Sequence, residues 1–447
     1  MSDDVLIIGG GLAGLAAGVA LAQAGRRVRL LEQKPYLGGR ARSFRDRATG
    51  SVVDNGQHLF MGCYHSTLKF LDAIGTSDTV AFDPQLRVRF LDADRKLTEL
   101  RCPGLPSPWH LLTGVCLSDS FAFGEKMDVL RMGRALRASS RPGDTPGNPD
   151  HLTVEQWLSS LGQRESLRRN FWDLLCIAAM NEDPQITSAQ LFHRVLRLAL
   201  FTSPLDSRLG IPRKGLSECY TDAAAGAITR RGGRVELSRD VRGLLISGGE
   251  CHGVKLLDGT TIEAQSVLSA VPWYVLPKLL PEGTAGSEPF FSRILELHPA
   301  PIISLYLWFD RPVTDLEFAG LRGTTIQWLF NKGKIMGNGE NYISLVLSGA
   351  HEHVLRSKED LLSTALKELR SLLPGMRDAR LTHSLVIKER FATFSPCVGV
   401  DALRPPAVTP VRGLYLAGDW TDTSLPATIE GAVQSGYTAA EAILQSN

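Results

Sequence analysis

Val5-Leu6-Ile7-Ile8 is an unbroken apolar run, the pattern of a strand covered on both faces. Small and apolar residues continue from Leu15 to Ala24 at helical spacing, and Gly25 stops them. Val28 to Glu32 reads as a second strand. Residues 66–204 change character, with apolar-periodic helical stretches and few strand signals. Thr153-x-x-Gln156 before an apolar run reads as a capping box. Residues 163–181 read as a long buried helix ending before Pro184, and PGDTPGNPD at 142–150 as a loop. Near 208 strands return: a helix at 216–230, strands at 234–237, 241–246, 253–257, 260–264 and 267–271, then 302–309 and 342–347, a helix at about 358–373, and a last strand Leu414 to Ala417. Pro426 to Gln434 then opens a helix with proline near its first turn.

Composition narrows the function. Lys plus Arg number 49 and Asp plus Glu 47, a net charge of +2 with no basic tail, which speaks against a nucleic-acid partner. The seven cysteines, at 63, 102, 116, 176, 219, 251 and 397, show neither C-x-x-C nor zinc-ligand spacing. No metal is expected, and free thiols point to a reducing cytoplasm. No signal peptide is expected. The apolar stretch Val5 to Ala22 carries five glycines and reads better as a strand and helix than as a membrane span. Any membrane contact would be peripheral, from the inner face of the cytoplasmic membrane.

The glycines are the chemistry. Gly9-Gly10-Gly11-Leu12-Ala13-Gly14 fits G-x-G-x-x-G between strand and helix. Gly9 permits the tight turn, Gly11 lets a pyrophosphate approach the helix N-terminus, and Gly14 lets helix and strand pack closely. Glu32 ends the second strand where an acid holds ribose hydroxyls, which argues against NADP. Gly9, Gly11, Leu12, Ala13, Gly14, Glu32 and Gln33 are therefore candidate cofactor contacts. In Leu37-Gly38-Gly39-Arg40-Ala41 a basic residue among small ones can reach a second phosphate, which adds Gly38, Gly39 and Arg40.

With that GGR after the first βαβ unit, and with Asp54-Asn55-Gly56-Gln57-His58, the chain resembles the FAD-dependent amine oxidase and phytoene desaturase superfamily. GLAGLAA, LGGRA, VDNGQH, AAMNEDP, IPRKGL and AGDWTDTSLPATIEGAV together resemble its squalene-associated desaturase group, which includes bacterial hydroxysqualene dehydroxylases of hopanoid biosynthesis. The resemblance covers nearly the whole chain. It implies an α/β fold: a discontinuous Rossmann-like FAD-binding domain (1–65, 205–284 and 399–447) with an inserted α+β substrate domain (66–204 and 285–398). It also implies FAD contacts from Gly56, Gln57, His58, Val241, Gly418, Asp419, Ala427, Thr428 and Ile429. The last helix would aim its N-terminus at the flavin ring, where its dipole favours negative charge. Amine oxidases commonly carry an aromatic residue where this chain has Thr428, and a tethering cysteine about forty residues earlier, which this chain lacks. FAD is therefore expected to be non-covalent, and an amine cage is unsupported.

The implied reaction replaces an allylic hydroxyl of hydroxysqualene by hydride, with loss of water, inside a long apolar tunnel. His58 reads either as proton donor or as a structural hydrogen-bonding histidine. Asp54 and Glu430 are alternative acids or backbone anchors. Asn181 and Glu182 line the tunnel or cap a helix, and Trp172 is a further tunnel residue. The electron donor is a separate reductase or a diffusible reductant, since no second dinucleotide motif occurs. Within 105–141, LPSPWHLLTGV and the basic KMDVLRMGRALRASSR, with an apolar stripe of Val129, Met132 and Leu136, read either as a membrane-contact region or as an ordinary surface helix. Two other functions compete: oxidative desaturation of a carotenoid-like or other isoprenoid, and cofactor-free lipid binding, against which the intact Gly9, Gly11, Gly14, Glu32, Arg40 and Asp419 argue.

Overall fold

The computed structural model describes residues 3–138 and 151–446; the expected loop at 142–150 and the end of the basic segment lie outside them. Five strands form a parallel core in the order Arg234–Glu236, Val28–Leu31, Asp3–Ile8, Thr261–Ser269 and Leu414–Leu416. The register aligns Ile8 with Leu31 and Ser269, and Ser269 with Leu416. Glu236 aligns with Leu31 as well, so all five strands end at one edge, the edge where open parallel sheets bind ligands. Asp3–Ile8, Val28–Leu31 and Leu414–Leu416 have apolar C-terminal residues, because helices or the meander Val241–Ser247 and Glu250–Leu256 cover both faces. The segments expected as two strands at 260–264 and 267–271 are one, Thr261–Ser269, antiparallel to the meander at its start and parallel to Asp3–Ile8.

The helix Leu12–Gln23 is buried almost all round. It packs between the sheet and the helices Ile429–Gln445 and Leu216–Thr229, which explains why its sequence has no polar stripe. Burying each of its leucines contributes about 1.5–3 kcal/mol. The last helix starts at Ile429, with Thr428 capping the Gly431 amide at 3.0 Å. Pro426 therefore lies in the loop before it rather than in its first turn.

A second sheet has seven strands in the order Leu381–Phe394, Pro299–Phe309, Tyr342–Leu347, Trp328–Asn331, Phe318–Arg322, Arg87–Asp92 and Leu97–Arg101. The last two, with Val80–Phe82, are strands where 66–204 was expected to be helical. Their alternation is hidden among charges that pair across the hairpin, as in Arg89 with Glu99 at 2.8 Å. Ile303, Leu305 and Leu307 pack with Leu361, Ala365 and Leu369 of the helix Lys358–Leu372. Alternate neighbours such as Ile302 and Val346 face an interior cavity instead.

Over that cavity lie the helices Trp109–Leu117, Phe123–Ala138 and Ala189–Leu200, with helical residues 165–180. The expected helix at 163–181 is there, with a π-turn at Arg168–Trp172. The Thr153/Gln156 capping box forms as expected.

Candidate functional site

The strand-end edge opens into a cavity of about 1950 Å³. Its nucleotide end follows from the glycines. Gly9 sits at φ +106°, and a side chain there would meet the Ala270 carbonyl at 2.9 Å. At Gly14 a side chain would meet the Gly9 carbonyl at 2.0 Å, so Gly14 serves helix–strand packing and does not line the cavity. Gly11 faces open space as the N-cap of its helix, with no side chain capping the first-turn amides. Those amides are a ready anion site. Leu12, Ala13, Gln33, Gly38, Gly39 and Val241 line the same space. Glu32 also lines it, while its carboxylate accepts from the Gly10 and Lys34 amides at 2.7 and 2.8 Å. The cradle, the open first turn and the buried, unpartnered Gln57 Oε1 fit a dinucleotide.

Gly418, Asp419, Ala427, Thr428 and Ile429 bring the chain's other end to this wall. Asp419 is paired with Arg40, whose guanidinium also donates to the Ala392 carbonyl at 2.9 Å and lies over the Trp273 ring. Burial works against the Arg40 charge, and Asp419 more than offsets it, so the Arg40 pKa is raised. Beneath the loop lies Arg404, which sequence reasoning missed. It is buried, donates to the carbonyls of Asp419 and Thr421 and to the Thr423 hydroxyl, and pairs with Asp401 at 3.3 Å. Nothing in ALRPP marks that arginine as internal.

The three acid–base candidates separate. His58 lines the cavity beside Gly56 and Gln57. Burial lowers its pKa below the ordinary value; Asp54 pulls it up and Lys332 pulls it down. It is therefore neutral near pH 7, with one N–H to donate. Asp54 does not line the cavity. Its carboxylate accepts from Lys332 Nζ at 2.9 Å, Ser43 Oγ at 2.7 Å and the Leu216 amide at 3.1 Å, in a pair whose side chains are 0% and 1% exposed. Glu430 touches the cavity, yet both its oxygens are committed to the helix His65–Ile74, accepting from the amides of Ser66 and Thr67 at 2.8 Å and the Thr67 hydroxyl at 2.7 Å. Asp54 and Glu430 are anchors by this geometry.

Beyond the cradle the cavity becomes aliphatic, walled by Leu111, Val129, Met132, Leu136, Leu175 and Phe201. The 12-residue helix Ala189–Leu200 runs along it for about 18 Å. One end is tied to Pro396, beside the cavity-lining end of the strand Leu381–Phe394, and the other to Ser107. Trp172 lines the cavity, its indole N–H held by Gln163 at 2.9 Å. Asn181 reaches its edge, but its amide is spent on Gly349, Thr393 and Ala300. Glu182 points elsewhere, to His351 at 2.8 Å, and is not a tunnel residue. His193, a further polar group in the wall, is buried with Nε2 unpartnered; burial, then Arg197 and Arg194, pushes its pKa down to about 4. Among the described residues no His, Cys, Asp and Glu group could hold a metal ion.

Comparison with known proteins places this geometry in context. The model of the flavin containing amine oxidoreductases matches residues 12–444. The chain is 30% identical to a hydroxysqualene dehydroxylase of Rhodopseudomonas palustris over 99% of each chain. It is 25% identical to a 15-cis-phytoene desaturase of Synechococcus elongatus over 98% of this chain and 95% of that one. A solved oxidoreductase from Methanosarcina mazei has the same fold, with a TM-score of 0.75 at 18% identity, covering 98% of this chain and all of the other.

Proposed function

The chain belongs to the flavin containing amine oxidoreductases, and from that premise we propose that it binds FAD and replaces the allylic hydroxyl of hydroxysqualene by hydrogen, giving squalene. The observation that carries the reading is that one cavity holds both the dinucleotide cradle and the aliphatic tunnel. At about 1950 Å³ it exceeds the roughly 300–1,000 Å³ of an ordinary ligand pocket, leaving room for a long chain beside a cofactor. Similarity to a dehydroxylase over the full length supports the same substrate class.

The overall change is R–OH + 2e⁻ + 2H⁺ → R–H + H₂O. Bound FAD would supply the hydride equivalent. The first-turn amides at Leu12 and the paired Arg40 would hold the phosphates. The helix starting at Ile429 would favour negative charge at its N-terminus. His58 would hold an N–H toward the departing hydroxyl, and the aliphatic walls would exclude water. Burial pushes the thiols of the two cavity-lining cysteines that precede the final helix, Cys63 and Cys102, up to about 12, so neither is a thiolate and FAD would be held without a covalent bond. The two electrons would come from a separate reductase or a diffusible donor.

Similarity to a phytoene desaturase favours one alternative, oxidation of an isoprenoid in the same cavity. The test compares both directions. Chemically reduced protein is incubated with hydroxysqualene, and oxidised protein with phytoene, each extract being analysed by mass spectrometry. Squalene from the first supports the proposal. Untouched hydroxysqualene together with desaturated phytoene would replace it with the alternative.

A further inference from the structure

We propose that the outer faces of the helices Trp109–Leu117 and Phe123–Ala138 dock on an anionic lipid bilayer, which delivers substrate to the cavity beneath. The delivery step rests on the proposed isoprenoid substrate; the docking surface stands on its own observations. The sequence pattern placed an apolar stripe at Val129, Met132 and Leu136, but these side chains turn inward, with Met132 and Leu136 buried and all three lining the cavity. The opposite face is apolar too. Trp109 is 61% exposed and Leu117 75% on the first helix, and Phe123 82% and Met127 47% on the second. From Leu105 to Leu117 the chain has no Asp, Glu, Lys or Arg.

On the second helix Phe123, Met127, Arg131 and Arg134 fall at i, i+4, i+8 and i+11, one stripe with apolar residues leading and exposed arginines following; Arg131 also pairs with Asp128 at 3.4 Å, and Arg134 also lines the cavity. An interfacial helix has this character, with rings and aliphatics entering the acyl boundary and guanidinium groups meeting anionic headgroups. Lys126 Nζ donates to the Cys116 carbonyl at 2.7 Å and holds the two helices together, so their apolar ends are fixed as one surface. Soluble chains rarely display an exposed tryptophan, phenylalanine, leucine and methionine in so short a stretch without a partner. The inner sides of the same helices, through Leu111, Leu112, Val115 and Val129, line the cavity. One helix layer, roughly 10 Å thick, separates lipid from tunnel. Among the described residues no helix is long and apolar enough to cross a membrane, which fits docking from one side.

The test is flotation of the flavin-loaded protein with vesicles of phosphatidylcholine alone or with phosphatidylglycerol added. Three proteins are compared: the natural chain, the variant Trp109→Ser/Leu117→Ser/Phe123→Ser/Met127→Ser, and Arg131→Gln/Arg134→Gln. Circular dichroism and retained flavin show that each is folded. The natural chain is expected to float with anionic vesicles, less so at high salt. The apolar variant should partition at least about tenfold less, and the arginine variant should lose the preference for anionic lipid. In detergent micelles the apolar variant should keep its turnover, so an inactive natural chain would count against the reaction and leave docking to be judged by flotation. A natural chain that floats with neither vesicle, or an apolar variant that floats equally well, would overturn the proposal. So would a dimer that the apolar substitutions dissociate in solution without any flotation, which would assign the surface to a second copy of the chain.

Discussion

His58 is the one candidate proton donor whose side chain stays open to the cavity, while the two candidate carboxylates are spent on the scaffold. His58→Leu, which removes that N–H, should therefore lower turnover by about 10²–10³-fold with flavin affinity nearly unchanged, as steady-state rates and flavin titration would show. Glu430→Gln should keep turnover within a few-fold and cost about 1–3 kcal/mol in denaturant unfolding, since it weakens the bonds that hold the helix His65–Ile74. Lys332→Met leaves Asp54 buried without its cation and should cost about 3–5 kcal/mol. His193 makes stability pH-dependent. Its folded pKa of about 4 lies below the ordinary 6.5, so the unfolded chain takes up the proton first. Its contribution is complete above pH 6.5 and is lost as pH falls toward 4, by about 2–3 kcal/mol. His193→Leu should flatten that slope in unfolding curves taken at pH 7 and pH 5. Of the three acid–base candidates singled out in the sequence, His58 and Glu430 reach the cavity and Asp54 does not. The sequence could not say which carboxylates were committed, because their partners lie 278 and 363 residues away.

At the level of elements, the first and last helices approach each other closely. A side chain at Gly436 would meet the Ala13 carbonyl at 2.3 Å. Gly436→Val should force those helices apart, costing about 1–3 kcal/mol or more and weakening flavin binding, measurable by thermal unfolding and by flavin release. The glycine motif, the strand that feeds it and the capping box were legible because each is a local pattern. The strands Arg87–Asp92 and Leu97–Arg101 were not, since their outward positions carry Arg and Glu that pair only once the hairpin forms. The last helix was placed too early because Pro426 is a common first-turn residue, whereas Thr428 makes the cap. The stripe on Phe123–Ala138 was read on the correct helix, but periodicity cannot tell which side of a helix apolar on two faces meets the core.

At the scale of the whole molecule, strands from the chain's start, middle and end finish at one edge, and the second sheet closes a tunnel onto it. The size of that tunnel was invisible in the sequence, since it depends on how seven strands and the covering helices enclose space. If FAD is the ligand of the glycine cradle, saturating it at a hundredfold excess over Kd should add about 2.7 kcal/mol of stability, measured by thermal unfolding. Reductive dehydroxylation is tested most directly by an anaerobic single turnover in D₂O, in which protein whose flavin has been reduced is mixed with hydroxysqualene. It predicts that the flavin's absorbance returns to the oxidised form as squalene appears with one non-exchangeable deuterium at the former carbinol carbon. Flavin that stays reduced beside unchanged hydroxysqualene, or squalene formed without deuterium, would contradict it.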